Sequence, residues 1–174
     1  MLNKNQEPVI YREVQRPRQV WLWVFIWGFT VFMWYSFIQQ IIFGVPIGNQ
    51  PAPDAVMVIL WLVFGIVFPV GMLGFVKLIT EVRRDGLYIR FVPFHVHYRS
   101  FMLKDLISYK SITYSPLKRF GGWGLRFNLE GETAYNMDGN QGIELKLRKN
   151  QTVVIGSRHP EELVKALDKV KAVK

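Results

Sequence analysis

The chain contains no cysteine and only three histidines. Disulfides and thiolate metal sites are thereby excluded, although the compartment is left open. Charge is the second scarcity. From Gln19 to Val76 the sole charged residue is Asp54. Soluble domains do not leave so long a stretch almost uncharged, because charged residues normally make up about a quarter of a globular sequence. The rest is the reverse case. Nearly all the charge lies before Gln19 or after Val76, and it leaves a formal net charge of +9 over 174 residues.

Within the uncharged stretch, Val20 to Phe43 and Ala55 to Val76 are continuous apolar runs. Each exceeds the roughly 20 residues that a helix needs to cross a hydrocarbon core. Buried helices of a soluble protein would each need a polar face, and these have almost none. A cleaved signal is disfavoured, since the first run is too long and no small-residue cleavage site follows it. The pattern predicts a polar N-terminal tail at 1–19, transmembrane helices at 20–43 and 55–77, an external loop at 44–54, and a folded region at 78–174.

Lys4, Arg12, Arg16 and Arg18 precede the first span, and Lys77, Arg83 and Arg84 follow the second. The loop "GVPIGNQPAPD" has no Lys or Arg. The positive-inside rule then predicts a multi-pass protein of the cell membrane with both termini cytoplasmic. "YREVQRPRQ" (Tyr11 to Gln19) reads as a juxtamembrane lead-in, with Trp21 and Trp23 in an interfacial belt. Pro69 predicts a kink, and the neighbouring glycines permit close helix approach. No ionisable residue lies inside either span, so a hairpin anchor is expected rather than a transporter.

Beyond Val76 the period becomes two. "GLYIRFV", "HVHYRSF", "SYKSITY", "WGLRFNL", "ETAYNM", "GIELKLR" and "TVVIGS" are separated by short turn-like segments. About seven strands at this spacing predict a small antiparallel sandwich or barrel. A helix should start at Pro160, with Glu161 and Glu162 in its first turn and lysines toward its end. Leu163, Ala166, Leu167 and Val170 give it one apolar stripe. A mainly-β sheet structure closed by one C-terminal helix is the pleckstrin-homology (PH) superfold.

Two membrane helices followed by "RRDGLYIRFVPF", "RSFMLKDLISY", "GGWGLRF" and "NQGIELKLRKNQTVVIGSRHPEELVKAL" resemble the prokaryotic PH-like membrane proteins. The similarity points to a small uncharacterised family within that group and is densest from Asp85 to Leu167. In such proteins Asp85-Gly86-Leu87 would open a strand, and Asp105 to Ser108 and Gly121 to Gly124 would lead into two more. Ile155 to Leu163 would join the last strand to the helix. The resemblance implies a fold and no known activity.

"KRFGGWGLRFN" (Lys118 to Asn128) is the stretch closest to a phosphate loop. A dinucleotide loop needs G-x-G-x-x-G between a strand and a helix. Here Phe127 occupies the third glycine position and a strand is expected next. A Walker sequence is absent, so the stretch is read as architecture. His95 and His97 at i, i+2 would share one strand face, but no third metal ligand is discernible. Together with Asp105 they are the only polar groups in view for an enzyme. No nucleophile–base pair is readable, and no cofactor or metal is expected.

Basic residues are the stronger functional signal. If Leu125, Phe127 and Leu129 face inward, Arg126 faces outward; if Ile143, Leu145 and Leu147 do, then Glu144, Lys146 and Arg148 face outward. With Arg83, Arg84, Lys118, Arg119 and Lys149 they would form a basic surface for anionic lipid headgroups or an acidic partner. Nucleic acid suits the charge but not a membrane tether. The expectation is a membrane-anchored, non-catalytic interaction or scaffold module. A subunit of a larger membrane complex, a homo-oligomer included, is the alternative, and a membrane-associated enzyme ranks behind both.

Overall fold

A computed structural model describes residues 8–148 and 150–172. Two compact units are present: one is Arg18–Val76, and the other joins the chain up to Pro17 with the chain from Lys77 onward.

In the first unit, α1 (Val20–Phe37) continues as a π-helical turn, Ile38–Ile42. After the loop, α2 (Asp54–Leu60), a π-helical stretch Trp61–Val67 and α3 (Phe68–Gly74) form one continuous helical segment. Both segments, Val20–Ile42 and Asp54–Gly74, are long and apolar enough to cross a membrane. They bury little of themselves, and Trp21, Phe25, Trp27, Phe32, Ile59 and Val67 stand exposed.

What the helices do bury is a narrow seam. Ile26, Thr30, Met33, Ser36 and Gln40 line one side, and Met57, Gly65 and Pro69 the other. Trp61 joins it, stacked on Phe37 at 4.2 Å and edge-on to Trp34 at 5.2 Å. Pro69 has no N–H to return to the Gly65 carbonyl four residues earlier, which a regular helix requires. The Trp34 indole N–H donates to that carbonyl instead, at 3.1 Å. The expected irregularity at Pro69 therefore takes the form of π-helical winding just before it, with the freed carbonyl satisfied from the other helix.

The second unit contains two sheets. The first has the order β1-β2-β3-β4, with β1 Tyr11–Gln15, β2 Lys77–Arg83, β3 Gly86–Val92 and β4 Arg99–Met102. The second has the order β5-β8-β9-β7-β6: β5 Leu106–Thr113, β6 Gly124–Phe127, β7 Thr133–Asn136, β8 Gln141–Leu147 and β9 Gln151–Gly156. A short helix α4 (Pro116–Phe120) precedes β6, and α5 (Pro160–Ala172) follows β9. The helix α5 packs on β2 and β3 of one sheet and on β5 and β8 of the other. Its stripe Leu163, Ala166, Leu167 and Val170 is buried, as the sequence predicted. Burying each of the leucine and valine side chains contributes about 2 kcal/mol.

Three differences from the sequence reading have physical causes. Tyr11–Gln15 is not a lead-in but a strand, paired antiparallel with β2 from Tyr11↔Val82 to Gln15↔Leu78. The whole helical unit is thus an insertion between two neighbouring strands. Second, His95 and His97 are not in a strand, since β4 begins only at Arg99. A turn intervenes, closed by the His95 N–H on the Phe91 carbonyl at 2.7 Å and the Phe91 N–H on His95 Nδ1 at 3.3 Å. Third, the sheets hold nine strands among the described residues and are not wholly antiparallel. The β6–β7 hairpin lies outside β9, and β7 runs parallel to β9.

The core lies between the inner faces. Leu78, Val82, Leu87 and Ile89 of the first sheet and Ile143, Leu145, Ile155 and Tyr135 of the second are fully or almost fully buried. Strand β1 stitches the two sheets together. Gln15 Nε2 donates to the Gly156 carbonyl at 2.7 Å. The Glu13 carboxylate accepts from the Ser157 hydroxyl at 2.6 Å, the Arg158 N–H at 2.8 Å and the Tyr11 hydroxyl at 2.9 Å. Burial, then the adjacent Glu13 carboxylate, pushes the Tyr11 phenol far up, so it stays a donor.

Candidate functional site

The basic residues singled out in the sequence fall into three groups. Arg83 is buried on the outer face of the first sheet, where its Nη2 lies 2.7 Å from Glu81. Its guanidinium covers the rings of Tyr88 and Tyr98 at 4.5 and 4.9 Å. The Tyr98 hydroxyl donates to the other Glu81 oxygen at 2.9 Å, and Arg12 approaches that oxygen at 3.5 Å. Arg83 holds a sheet face together and is not displayed.

Arg119 is the second such case. It projects from α4, which starts at a Ser115 cap with Pro116 in its first turn and stops at Gly121 in a left-handed conformation. Tyr114, Phe120, Ala134 and Val154 form a small apolar cluster under this helix, on the outer face of the second sheet. At the rim of that cluster Arg119 pairs with Glu132 at 2.6 Å and with Glu144 at 2.7 Å. Glu144, expected outside, is therefore covered. The hydrogen bond from Arg119, followed by Asn128 and the Arg119 charge, holds the Glu132 carboxyl below its ordinary range despite burial.

The remaining five, Arg84, Lys118, Arg126, Lys146 and Arg148, are exposed, but they do not form one patch. Arg84 and Arg148 share an end of the β unit: the Leu103 N–H bonds the Asp85 carbonyl, and the Arg148 N–H bonds the Asp105 carbonyl. Arg126 is opposite Ala134, which is opposite Val154, which is opposite Glu144. Lys146 is two residues from Glu144, so it and Arg126 share a face with β7 and β9 between their strands. Three strand spacings separate them by roughly 15 Å, well beyond the screening length of about 8 Å in physiological salt. Arg126 instead folds back, donating from Nε to the Trp123 carbonyl at 3.0 Å. Arg84 is also remote from Lys77, roughly 20 Å along an extended strand. Lys149 lies outside the described residues.

The stretch from Lys118 to Asn128 is held by local contacts. Gly121, Gly122 and Gly124 all have φ between +71° and +137°, where a side chain is strained. The Trp123 indole donates to the Gly139 carbonyl at 2.8 Å, and the Gly124 N–H donates to Asn136 Oδ1 at 2.8 Å. Added Cβ atoms at these glycines would meet at most the Arg126 side chain. Left-handed backbone, rather than lack of room for a side chain, explains the glycines.

Beside this loop the alternation fails. Phe127 is 68% exposed and Leu129 wholly so, although both were expected inside. Phe127 ends the edge strand β6, whose sole partner among the described residues is β7, and Leu129 lies beyond the strand. With Lys118, Arg119 and Phe120 they line a shallow pocket of about 450 Å³. Leu117 on α4 is exposed as well.

The polar groups considered for chemistry do not converge. Asp105 belongs to the end shared with Arg84 and Arg148, where Leu106 pairs with Leu147. His95 follows β3 at the opposite end, its ring 5.7 Å from that of Tyr135. Burial, then the Arg99 charge, lowers the His95 pKa, and its Nδ1 is already an acceptor. No cluster of three potential metal ligands occurs among the described residues.

Compared with known proteins, residues 2–173 match the profile of a family of unknown function, DUF6141. No curated protein and no solved structure matches the chain.

Proposed function

We propose that this chain, which belongs to the DUF6141 family, is a non-catalytic interaction module anchored in the cell membrane by its helical hairpin. Its β unit is PH-like in the sense of two packed sheets with a C-terminal helix across them, and it is displayed on the cytoplasmic side.

The observation that carries this reading is the pairing of β1 with β2. Gln15 and Leu78 are neighbours in one sheet, yet two apolar segments of membrane-spanning length separate them in sequence. A folded β unit cannot straddle a bilayer, so both ends of the insertion lie on one side and the spans cross as a pair. Arg16, Arg18 and Lys77 at those ends, against a loop without Lys or Arg, favour the cytoplasm for that side. The surface on offer to a partner is the β6 edge with Phe127 and Leu129, beside the α4 pocket.

The cysteine-free chain suits a direct test. Asn49→Cys in the loop and Ala172→Cys in α5 are labelled in intact cells with a membrane-impermeant maleimide. Labelling at 49 and protection at 172 until the cells are lysed is the expected result. The reverse pattern overturns the orientation, and equal labelling in intact cells overturns the membrane reading.

Membership of a larger membrane complex, or a homo-oligomer, is the second reading. It is favoured by Gly71 and Gly74, where an added Cβ would meet nothing within 4 Å. Crosslinking in native membranes followed by purification should recover a partner whose yield falls with Gly71→Leu, if this reading holds.

A further inference from the structure

We infer that the turn between β3 and β4, Pro93 to His97, is a second membrane contact that inserts Phe94 and Val96 into the bilayer surface. The inference rests on the helical unit being embedded, as proposed above.

Phe94 and Val96 are 69% and 73% exposed, two large apolar side chains on one short turn. Their presentation is fixed rather than loose. Arg90 Nε donates to the His95 carbonyl, and His95 bonds back to Phe91 through both its N–H and its ring nitrogen. Phe94 leans on the Phe91 ring at 5.5 Å, which sets its direction without covering it.

Location identifies the occupant. Strand β3 ends at Val92, directly opposite Lys77, and Leu78 is opposite Gln15. This turn therefore springs from the end of the sheet where the chain departs for the first apolar segment and returns from the second. Gly74, the last residue of α3, precedes Lys77 by three residues, a reach of at most about 11 Å. Val20 follows Gln15 by five, at most about 18 Å. If those segments are in hydrocarbon, the turn is held within a short reach of the headgroups. Arg90, Lys77 and Arg99 flank it, which suits an anionic surface. Exposure alone does not give this continuity: Ile107, also exposed, lies next to Leu106, at the opposite end of the unit.

The test uses the full chain in liposomes with single cysteines carrying an environment-sensitive fluorophore, and lipids bearing a quencher in the upper acyl region. Phe94→Cys, Val96→Cys, Ile107→Cys and Val24→Cys are compared. Val24 reports embedding of the helical unit, and Ile107 the solvent baseline. The expected result is strong quenching at 24, with quenching at 94 and 96 several-fold above 107. Quenching at 24 with 94 and 96 equal to 107 overturns the inference and leaves the anchor standing. No quenching at 24 overturns the anchor and the inference together. A blue-shifted but unquenched probe at 94 indicates a protein occupant and also overturns lipid contact.

Discussion

In the helical unit the buried polar side chains are neutral, and their hydrogen bonds go chiefly to backbone carbonyls. Thr30 bonds the Ile26 carbonyl, Trp34 that of Gly65, and Gln40 that of Ala52, with Asp54 as a second acceptor near the loop. In the β unit four of the buried polar residues, Glu13, Glu81, Arg83 and Glu144, carry charge. Glu81 pairs with Arg83 and Glu144 with Arg119, while Glu13 accepts from the Ser157 hydroxyl and the Arg158 N–H. If the helical segments lie in hydrocarbon, as proposed, an amide or an indole can be hidden there at small cost, whereas a charge would be expensive. A sheet face that borders water can half-cover an ion pair under a tyrosine or a short helix, because both partners remain close to solvent and to each other.

The comparison breaks most completely if β1 is dispensable. The chain from Lys77 onward, without β1, exposes the edge of β2 and orphans the Gly156, Ser157 and Arg158 groups that Gln15 and Glu13 serve. It should show no cooperative thermal transition. Joining Gln15 to Leu78 through an Asn-Gly turn, which suits a tight hairpin, should restore a folded, soluble unit. Equal melting of the two proteins would make the insertion between paired strands irrelevant to the fold.

Next comes the α5 plug. Leu167→Asp places a charge at a position that is 0% exposed, and should lower the stability of the joined unit by about 4 kcal/mol. Leu117→Asp, on the exposed side of α4, should stay within about 0.5 kcal/mol. Denaturant titration of both separates inward from outward leucines.

Arg119 sharpens the contrast of charged with neutral burial. Arg119→Ala leaves two half-covered carboxylates and should cost about 3 kcal/mol near neutral pH. Glu132→Gln should cost less, about 1 kcal/mol, and its deficit should depend on pH. The folded Glu132 pKa is lowered, so the stability it contributes is fully present above the ordinary glutamate value of 4.5 and disappears as pH falls through the lower folded value. Parent and Glu132→Gln should therefore converge once the pH has fallen below that lowered folded value. The Trp34–Gly65 bond has no titrating group and should ignore the same change.

The smallest effect is at the surface. Replacing Arg84, Lys146 and Arg148 together by glutamine should shift stability by no more than about 0.5 kcal/mol. Because Arg84 and Arg148 lie at the end opposite the β3–β4 turn, binding of the joined unit to anionic vesicles at low salt should change by less than the roughly fivefold expected of a single basic residue held against a bilayer. Because Arg126 sits apart on β6, adding Arg126→Gln should weaken binding no further; a clear additional loss would mean that the two basic regions act together.

Several elements were legible because one local pattern sufficed. Gly86 to Val92 reads as β3 to the residue, from the Asp85-Gly86 turn and the alternation after it. Pro160, its two glutamates and the Leu163–Val170 stripe mark α5 in the same way. Strand β2 was missed because Glu81 and Arg83 are buried, so no polar face alternates with the apolar one. Strand β1 was missed because Glu13 and Gln15 face inward, where their partners in and after β9 are 141 residues or more away. Among the candidate site residues, the exposure of Arg126, Lys146 and Arg148 followed from alternation, but the covering of Arg83, Arg119 and Glu144 did not.

The sequence by itself determined the two apolar helices, the closing helix and the turn chemistry of the glycine-rich loop. Each depends on residues within a few positions of one another, where periodicity, charge order and φ preference act directly. Only the tertiary structure decided that the segment before the first helix belongs to the sheet after the second, that two of the seven described basic residues are ion-paired supports, and that Phe127 and Leu129 stand exposed at an edge. Those outcomes depend on which strands become neighbours, and strand order is set by the packing of the whole unit rather than by any local run of residues.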